Sequence, residues 1–349
     1  MNARSSRAPR VRGSGRPTLA DVAVRAGVAK ITASRVLRGL GTVAAETRAR
    51  VEQAMNELGY IPNVIASNLA SNRTGVIAII GPGFSSPLLR DLFQGLSEVM
   101  RTEGYQIMLG MTGASSGEEE ALIRTFLARR ADALVLTNSR HSARALQLLK
   151  TVDVPVVEVG ELAVRPVGMT VGFSNRAAAH AIVRHLIHVG RKRIAMISEP
   201  QDERSRASER RAGYVAALRE AGLKADPALL VEARLGLAAA ADAIRQLLDI
   251  SEPPDAVFCS DDVLALGVLF ECLRQGWQVP RQLAIAGFGD LEIAAEAIIP
   301  LTSLRVERVA MGRRAGAMLL AALRGDTPGT EREDVGFAVI ARASTLRET

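Results

Sequence analysis

The sequence predicts a small all-α headpiece of the helix-turn-helix type, followed by an α/β core of two doubly wound lobes with parallel sheets. Residues 17–63 show three short amphipathic patterns separated by glycines, which indicate three short helices. From Gly75 onward, short apolar runs alternate with helical patterns, as in parallel sheets covered by helices on both faces. Residues 75–349 exceed what one such sheet usually needs, so we expect two lobes with a cleft between them.

The positive charge of the chain is concentrated at its beginning. Residues 1–73 hold 12 Lys and Arg against 4 Asp and Glu, a net charge of +8, whereas the remainder has a net charge of −1. Such a concentration favours a polyanionic partner. Residues 1–16 are rich in Arg, Ser, Gly and Pro and are expected to form a disordered basic tail. They lack the apolar core of a secretory signal, and the sequence has no apolar run of membrane-spanning length, so we expect a cytoplasmic protein.

The first two predicted helices form a helix-turn-helix. Thr18 can cap a helix that ends at Ala26, with Asp21 as its acidic partner three residues on. Gly27 supplies the stop, because glycine accepts the left-handed conformation of a helix end. A second helix over Lys30–Leu37 follows at once. Two short helices joined by a tight turn that contains glycine are typical of DNA-binding headpieces.

A third helix is predicted over Glu46–Leu58 and ends at Gly59. The second helix would then present its outer face to base edges in the major groove. The alternative is a structural three-helix bundle with a solvated basic face, and the charge asymmetry favours DNA. The expected DNA contacts of this region are Thr18, Lys30, Ile31, Thr32, Ser34 and Arg35.

Two segments of the headpiece resemble the lactose-repressor (LacI) family of regulators. They are TLADVAVRAGVAKITASRVLRG and TRARVEQAMNELGYIPN, and the match continues at lower density to about Ala343. The resemblance implies that Lys30, Ile31 and Arg35 lie over the bases. Ala29 stands where the family usually has Ser or Thr, which puts one side-chain contact or cap in doubt.

Residues 64–74 are expected to form a hinge helix, which would be marginal alone in water because it is so short. In the LacI family this segment folds on operator DNA and inserts a leucine into the minor groove, and Leu69 is at that position. The resemblance also implies DNA contacts from Asn63 and Ala66. The alternative is an ordinary linker with one exposed leucine.

The core is expected to resemble periplasmic binding proteins, with a first lobe of about 75–174 and 304–333 and a second of about 175–303 and 334–349. Helices are expected near 88–103, 118–130, 142–151, 175–189, 208–221, 237–249, 262–275 and 307–324. The predicted strands are Val76–Ile80, Gln106–Met111, Ala133–Thr137, Val154–Val159, Ile194–Ser198, Ala256–Ser260 and Leu283–Phe288.

A ligand is expected between the lobes, off the carboxyl ends of the strands. The resemblance adds weight to Arg210, because Arg210, Gly213 and Tyr214 meet the family's Arg-x-x-Gly-aromatic motif, whose arginine contacts the effector in many members. Helix caps and surface polar residues are the alternative interpretation for each candidate. The candidate effector contacts are Ser85, Ser86, Thr137, Glu158, Phe173, Arg204, Arg210, Asp261 and Phe288.

The gluconate-utilisation repressors of the family are similar to this chain in the segments ELGYIPN, PVVEV, VGFSN, DER (202–204), VFCSDD, FEC and IAGF. Gly289 stands where family members usually have an Asp that accepts sugar hydroxyls, which suits an anionic ligand better than a neutral sugar. Arg204 or Arg210 could bind a carboxylate, while Ser86, Thr137 and Asp261 could bind hydroxyls.

The sequence therefore predicts a homodimeric repressor of sugar-acid genes on a near-palindromic operator, relieved by an effector such as gluconate. The alternatives are a LacI-type regulator of another effector (a pentose, a hexose or a purine, including a corepressor) and a cytoplasmic solute-sensing module. No Walker loop, GxGxxG or HExxH motif occurs, and the two cysteines and four histidines match no metal-ligand spacing. We expect no enzymatic activity, no cofactor and no metal.

Overall fold

The computed structural model describes residues 17–37, 43–61, 73–83, 87–112, 116–200, 206–326 and 331–346. Its contacts separate the chain into two units, residues 1–74 and 75–349. The predicted basic tail and almost all of the predicted hinge lie outside the described residues.

The headpiece consists of α1 (Leu19–Ala26), α2 (Lys30–Leu37) and α3 (Ala45–Leu58). The predicted helices are confirmed to within one residue at each end. Thr18 forms the predicted capping box: its hydroxyl accepts from the Asp21 amide, and the Asp21 carboxylate accepts from the Thr18 amide at 2.8 Å. Both interactions satisfy donors that a helix start leaves unpaired.

A small apolar core holds the three helices together. It is built around buried Val22, Ala33, Val36 and Val51. Small residues such as Ala33 let these short helices approach closely. Because this face of α2 is packed against the core, its opposite face is exposed to solvent.

The first sheet of the core has six strands in the order β11-β5-β4-β3-β1-β2, all parallel. Its inner strands are apolar and buried on both faces, as a parallel sheet between helices requires. The strands are β1 (Val76–Gly81), β2 (Gln106–Met111), β3 (Ala133–Leu136), β4 (Val156–Glu161), β5 (Met169–Phe173) and β11 (Arg332–Asp334).

The second sheet has the order β12-β10-β9-β8-β6-β7 and is parallel except that β12 runs antiparallel to β10. This antiparallel edge strand was not predicted from the sequence, and the predicted doubly wound parallel arrangement is confirmed for the other strands. The strands are β6 (Ile194–Ser198), β7 (Leu230–Glu232), β8 (Ala256–Cys259), β9 (Ala284–Gly289), β10 (Thr302–Arg305) and β12 (Ala338–Ile340).

Helices cover both sheets, and the eight predicted core helices are confirmed to within two residues at each end. A short helix, α11, was not predicted. The helices are α4 (Pro87–Thr102), α5 (Ser116–Ala128), α6 (Ala143–Thr151), α7 (Asn175–His188), α8 (Arg206–Glu220), α9 (Leu237–Leu248), α10 (Asp262–Arg274), α11 (Glu292–Ala295) and α12 (Arg308–Arg324).

The sequence patterns miss β5, β7, β10, β11 and β12, which have five residues or fewer each. The predicted start of β4 at Val154 is also wrong, because β4 begins after Pro155, which has no N–H to donate to the ladder. The strand continues to Glu161 instead of ending at Val159, and this shift places a carboxylate at its carboxyl end.

Within the described ranges the chain crosses between the two sheets three times: after β5, after β10 and after β11. These crossings bring the carboxyl ends of both sheets to one cleft. In the described part of the chain, no helix is long and apolar enough to cross a membrane.

The helices α4 and α12 pack with their backbones in close approach. A Cβ atom added to Gly95 would lie 2.0 Å from the carbonyl oxygen of Val309, and one added to Gly312 would lie 2.3 Å from that of Leu92. Both clashes are with backbone atoms, which cannot rotate away as a side chain can. The first lobe therefore needs glycine at both positions.

We predict that Gly95→Ala lowers the free energy of unfolding by about 1–3 kcal/mol, because overpacking forces the two helices apart. At an exposed helix position the same change raises the free energy of unfolding by up to ~1 kcal/mol. The sign of the measured change therefore shows whether the two helices are in close contact at Gly95. Chemical denaturation of the full chain measures it, with the exposed neighbour change Gln94→Ala as control. A variant as stable as the wild type would contradict this packing.

Candidate functional site: a DNA-reading helix and an inter-lobe pocket

The outer face of α2 presents the side chains that the sequence predicts for DNA. Ile31 is 62% exposed, which is unusual for a large apolar residue. Lys30 and Arg35 are also exposed, whereas Ala33 and Val36 on the opposite face are buried. This face therefore offers two cations and an apolar side chain to a groove, as a recognition helix does.

Three further predicted contacts are less accessible. Thr32 and Ser34 are half-buried. The Thr18 hydroxyl is already engaged, because it donates to the Asp21 carboxylate at 2.7 Å, and this bond holds the pKa of Asp21 below its usual value. The other predicted contacts of the DNA and effector sites, namely Asn63, Ala66, Leu69, Ser85, Ser86 and Arg204, lie outside the described residues.

A small polar pocket opens between the two lobes. The first lobe contributes the segment after β3 and the end of β4, and the second lobe contributes the start of α8. The pocket is lined by Thr137, Asn138, Ser139, Arg140, Glu161, Arg206 and Glu209. The lining is strongly polar, with two guanidinium groups and two carboxylates.

The predicted residues Phe173, Arg210 and Phe288 are brought together beside this pocket. Arg210 donates from Nε to Asn175 Oδ1 at 2.8 Å and from Nη1 to the carbonyl of Ser260. Its guanidinium lies 3.7 Å from the centroid of the Phe288 ring, and the rings of Phe173 and Phe288 are 6.1 Å apart. Burial, and then the nearby Arg206, lower the pKa of Arg210 to about 10.

Glu161 connects this cluster to the first lobe. Its carboxylate accepts from the backbone and side-chain nitrogens of Asn175 at 3.2 and 2.6 Å, and burial raises its pKa. Since Asn175 also accepts from Arg210, a continuous chain of hydrogen bonds runs from β4 to α8. Sequence reasoning missed Glu161, because it placed the end of β4 two residues early.

Glu158, which was predicted to contact the effector, has other partners. Its carboxylate lies 2.9 Å from His141 Nε2 and accepts from the amide of Val167 at 2.9 Å. The side chain is 1% exposed and is not among the groups that line the pocket. Glu158 is an interior residue of β4, and Glu161 has the position at the carboxyl end of the strand.

Arg206 is the cation that sequence reasoning did not single out. Its Nη1 is buried and has no hydrogen-bond partner among the residues that the structure describes. Burial lowers its pKa, while Glu199, Glu161 and Asp261 oppose that effect. Its spacing of four residues from Arg210 puts both side chains on one face of α8, and that spacing was a usable signal in the sequence.

The predicted contacts Thr137 and Asp261 lie on opposite sides of the cleft. Thr137 Oγ1 is buried, and the described part of the chain offers it no hydrogen bond. Asp261 caps α10 by accepting from the Val263 amide at 2.8 Å, and burial raises its pKa. Its neighbour Asp262 is fully buried and accepts from Ser303 and Leu291, and burial raises the pKa of Asp262 to about 6.

A further contact spans the lobes at the rim of the pocket. Arg140 from the first lobe forms an ion pair with Glu209 from the second. Arg176, at the start of α7, pairs with the same carboxylate at 3.1 Å. The two walls of the pocket are therefore joined by charge pairing as well as by the chain of hydrogen bonds through Asn175.

A helix-turn-helix headpiece joined to a two-lobed core with a polar inter-lobe pocket defines a ligand-responsive DNA-binding transcription regulator. Comparison with known families gives the same result. The family of bacterial regulatory proteins named lacI matches residues 18–63, and the periplasmic binding protein-like domain matches residues 183–345. The chain belongs to the LacI family of transcription regulators.

Individual relatives agree over nearly the whole chain. The HTH-type transcriptional regulator GntR of Pseudomonas aeruginosa is 38% identical over 96% of this chain and 97% of its own length. The HTH-type transcriptional repressor CytR of Escherichia coli is 33% identical over 94% and 96%. A LacI-family regulator from Silicibacter pomeroyi, 30% identical, superposes with a TM-score of 0.89 over 95% of this chain and 100% of its own. These relatives are regulators and not enzymes.

We predict that Arg35→Ala costs about 1–3 kcal/mol of operator binding and relaxes the preference at one base pair of each half-site, because a bidentate base contact is lost. Arg50→Ala, an exposed arginine on α3, is the matched control for the loss of charge. Titration of both variants on operator and scrambled duplexes at one salt concentration measures the difference. Equal losses on both duplexes would reduce Arg35 to a phosphate contact.

Proposed function

We propose that this protein is a transcriptional repressor of sugar-acid utilisation genes, relieved when a polyol carboxylate such as gluconate binds between the lobes. The observation that carries the proposal is Arg206, which lines the pocket and whose buried Nη1 has no hydrogen-bond partner among the described residues. Buried polar groups in proteins are ordinarily hydrogen-bonded. A ligand carboxylate would supply the missing acceptor.

The other groups of the pocket suit the hydroxyls of such a ligand. Thr137 Oγ1 is a second buried polar atom without a partner among the described residues. Asn138 and Ser139 line the same wall, and Glu161 and Glu209 offer carboxylate acceptors. A guanidinium with one buried, unpaired nitrogen among hydroxyl-binding groups favours a sugar acid over a neutral sugar.

Arg210 has a different role in this proposal from the one that its sequence motif implies. Two of its nitrogens already donate to Asn175 and Ser260, and its face is covered by Phe288. We infer that Arg210 positions the residues at the base of the site, and that Arg206 binds the carboxylate of the ligand.

The names of the relatives support the subgroup only in part. GntR-named regulators match at 38% and 33% identity, and IdnR of Escherichia coli at 30%. CytR matches at 33% as well. A LacI-type regulator with another small effector, or with a corepressor, is therefore the second candidate.

Control of DNA would follow from lobe closure. A ligand that contacts both walls favours one arrangement of the lobes, and it can shift DNA binding only through a difference in affinity between arrangements. We propose a cytoplasmic homodimer on a near-palindromic operator, like the lac repressor, which has been solved as an operator-bound dimer. Leu69, with Asn63 and Ala66 beside it, would transmit the change as a minor-groove wedge.

We predict that gluconate raises the melting temperature of the full chain and that Arg206→Gln weakens its binding about 10- to 100-fold. Glutamine keeps N–H donors but loses the charge, and a hydrogen bond to a charged group contributes roughly 1.5–3 kcal/mol. Calorimetric titration measures the affinity. Arg219→Gln, an exposed arginine on the same helix, should bind like the wild type. If a neutral pentose or a purine shifts melting and gluconate does not, the sugar-acid assignment is wrong.

A further inference from the structure

A cluster of three ionisable side chains lies behind the pocket wall of the first lobe. His141 Nδ1 is 3.1 Å from Glu119 Oε2, and His141 Nε2 is 2.9 Å from Glu158 Oε1. The side chains of His141, Glu119 and Glu158 are 1%, 6% and 1% exposed. None of the three lines the pocket.

The geometry defines the protonation of the ring. Ionised carboxylates only accept hydrogen bonds, and a neutral imidazole has one donor. Both ring nitrogens lie within hydrogen-bond distance of a carboxyl group, so with both carboxyl groups ionised the arrangement requires an imidazolium that donates on both sides. Burial is the largest single effect and lowers the pKa of His141, but the hydrogen bonds to Glu119 and Glu158 and the negative charges of both carboxylates together raise that pKa to about 9.

The cluster is attached to the pocket wall at two points. At the start of segment 138–140, Asn138 Nδ2 donates to Glu119 at 3.3 Å. At its other end, His141 is the residue that directly follows the segment. Glu158 also accepts from the Val167 amide at 2.9 Å, which fixes the connection between β4 and β5. Between the two attachment points lie Ser139 and Arg140, and both of these residues line the pocket.

We propose that Glu119, His141 and Glu158 form a buried charged clasp that positions segment 138–140, so that Arg140 reaches Glu209 of the second lobe. His141 is then a positioning residue for the inter-lobe pocket, since its ring bonds to Glu119 and Glu158 of its own lobe and does not line the pocket. The consequence for effector affinity rests on the proposed function. The positioning itself does not, because the Arg140–Glu209 pair joins two side chains of the protein.

The clasp has a predictable pH dependence. The charged groups that face the ring are Glu119 from α5 and Glu158 from β4, and Arg140 is paired with Glu209 instead. Because the pKa of His141 is raised in the folded protein, its contribution to stability is complete below about 6.5 and is lost as the pH rises through about 9. A neutral, purely steric role would give no such change.

The first test uses the full chain without ligand, from pH 6.5 to 9.5. His141→Gln should lower the melting temperature by about 4 °C or more at pH 6.5, because two buried carboxylates then face each other without a cation. The deficit relative to the wild type should shrink toward pH 9.5. His180→Gln is the matched control, since His180 pairs with the exposed Glu220 on the surface, and it should show a small deficit. A His141→Gln deficit that is constant across this range would overturn the clasp.

The second test measures coupling to the other lobe. Arg140→Gln should lower the melting temperature of the wild type more than it lowers that of the His141→Gln variant, since Arg140 is no longer held in place there. Additive effects would contradict the positioning role.

If His141→Gln does not fold, Glu119→Gln replaces it. This change keeps the shape of the side chain but removes one negative charge beside His141, so the stability contributed by His141 should be lost at a lower pH than in the wild type. An unmoved transition would overturn the clasp.

The third test separates this inference from the proposed function. Where gluconate binds the wild type, His141→Gln should weaken it at least about fivefold, and equal affinities would refute the link from clasp to pocket. Where gluconate binds neither protein, the sugar-acid proposal fails, and the two ligand-free tests still decide the clasp.

Discussion

Burying two guanidinium groups one helical turn apart is unfavourable unless each finds compensating partners. In this molecule Arg210 finds them in Asn175, the carbonyl of Ser260 and the ring of Phe288. Arg206 has nearby carboxylates but an unpaired Nη1 within the described chain. The two arginines therefore differ: Arg210 is bonded within the second lobe, and Arg206 has a nitrogen available for the anion that we propose.

The walls of the pocket belong to different lobes, so every contact across them is also a constraint on closure. The chain from Glu161 through Asn175 to Arg210 joins β4 to α8, and the Arg140–Glu209 pair joins the rims. A ligand carboxylate at Arg206 would change the balance of charge among these contacts. Under the proposed function, this change in charge balance alters the relative free energies of the lobe arrangements, which is what allosteric control requires.

Local rules predicted local structure well. The capping box of Thr18 and Asp21 and the glycine stops placed the headpiece helices, and apolar runs placed the inner strands. Short strands with few apolar residues, such as β7 and β10, gave too weak a pattern. The site was harder to predict, because it depends on strand ends and on partners distant in sequence. Glu158 has its partners inside the first lobe, and Arg206 gains its importance from what Arg210 already binds.

If effector and operator compete through one equilibrium between lobe arrangements, each must weaken the binding of the other by the same factor. Measuring both binding affinities is the most direct test. Gluconate affinity of the full chain is measured by calorimetry with saturating operator duplex, with scrambled duplex and with no DNA, at one salt concentration. The account predicts that operator weakens gluconate binding by about 5- to 150-fold, the same factor by which gluconate weakens operator binding. Gluconate affinity that is equal with operator and with scrambled duplex would contradict it.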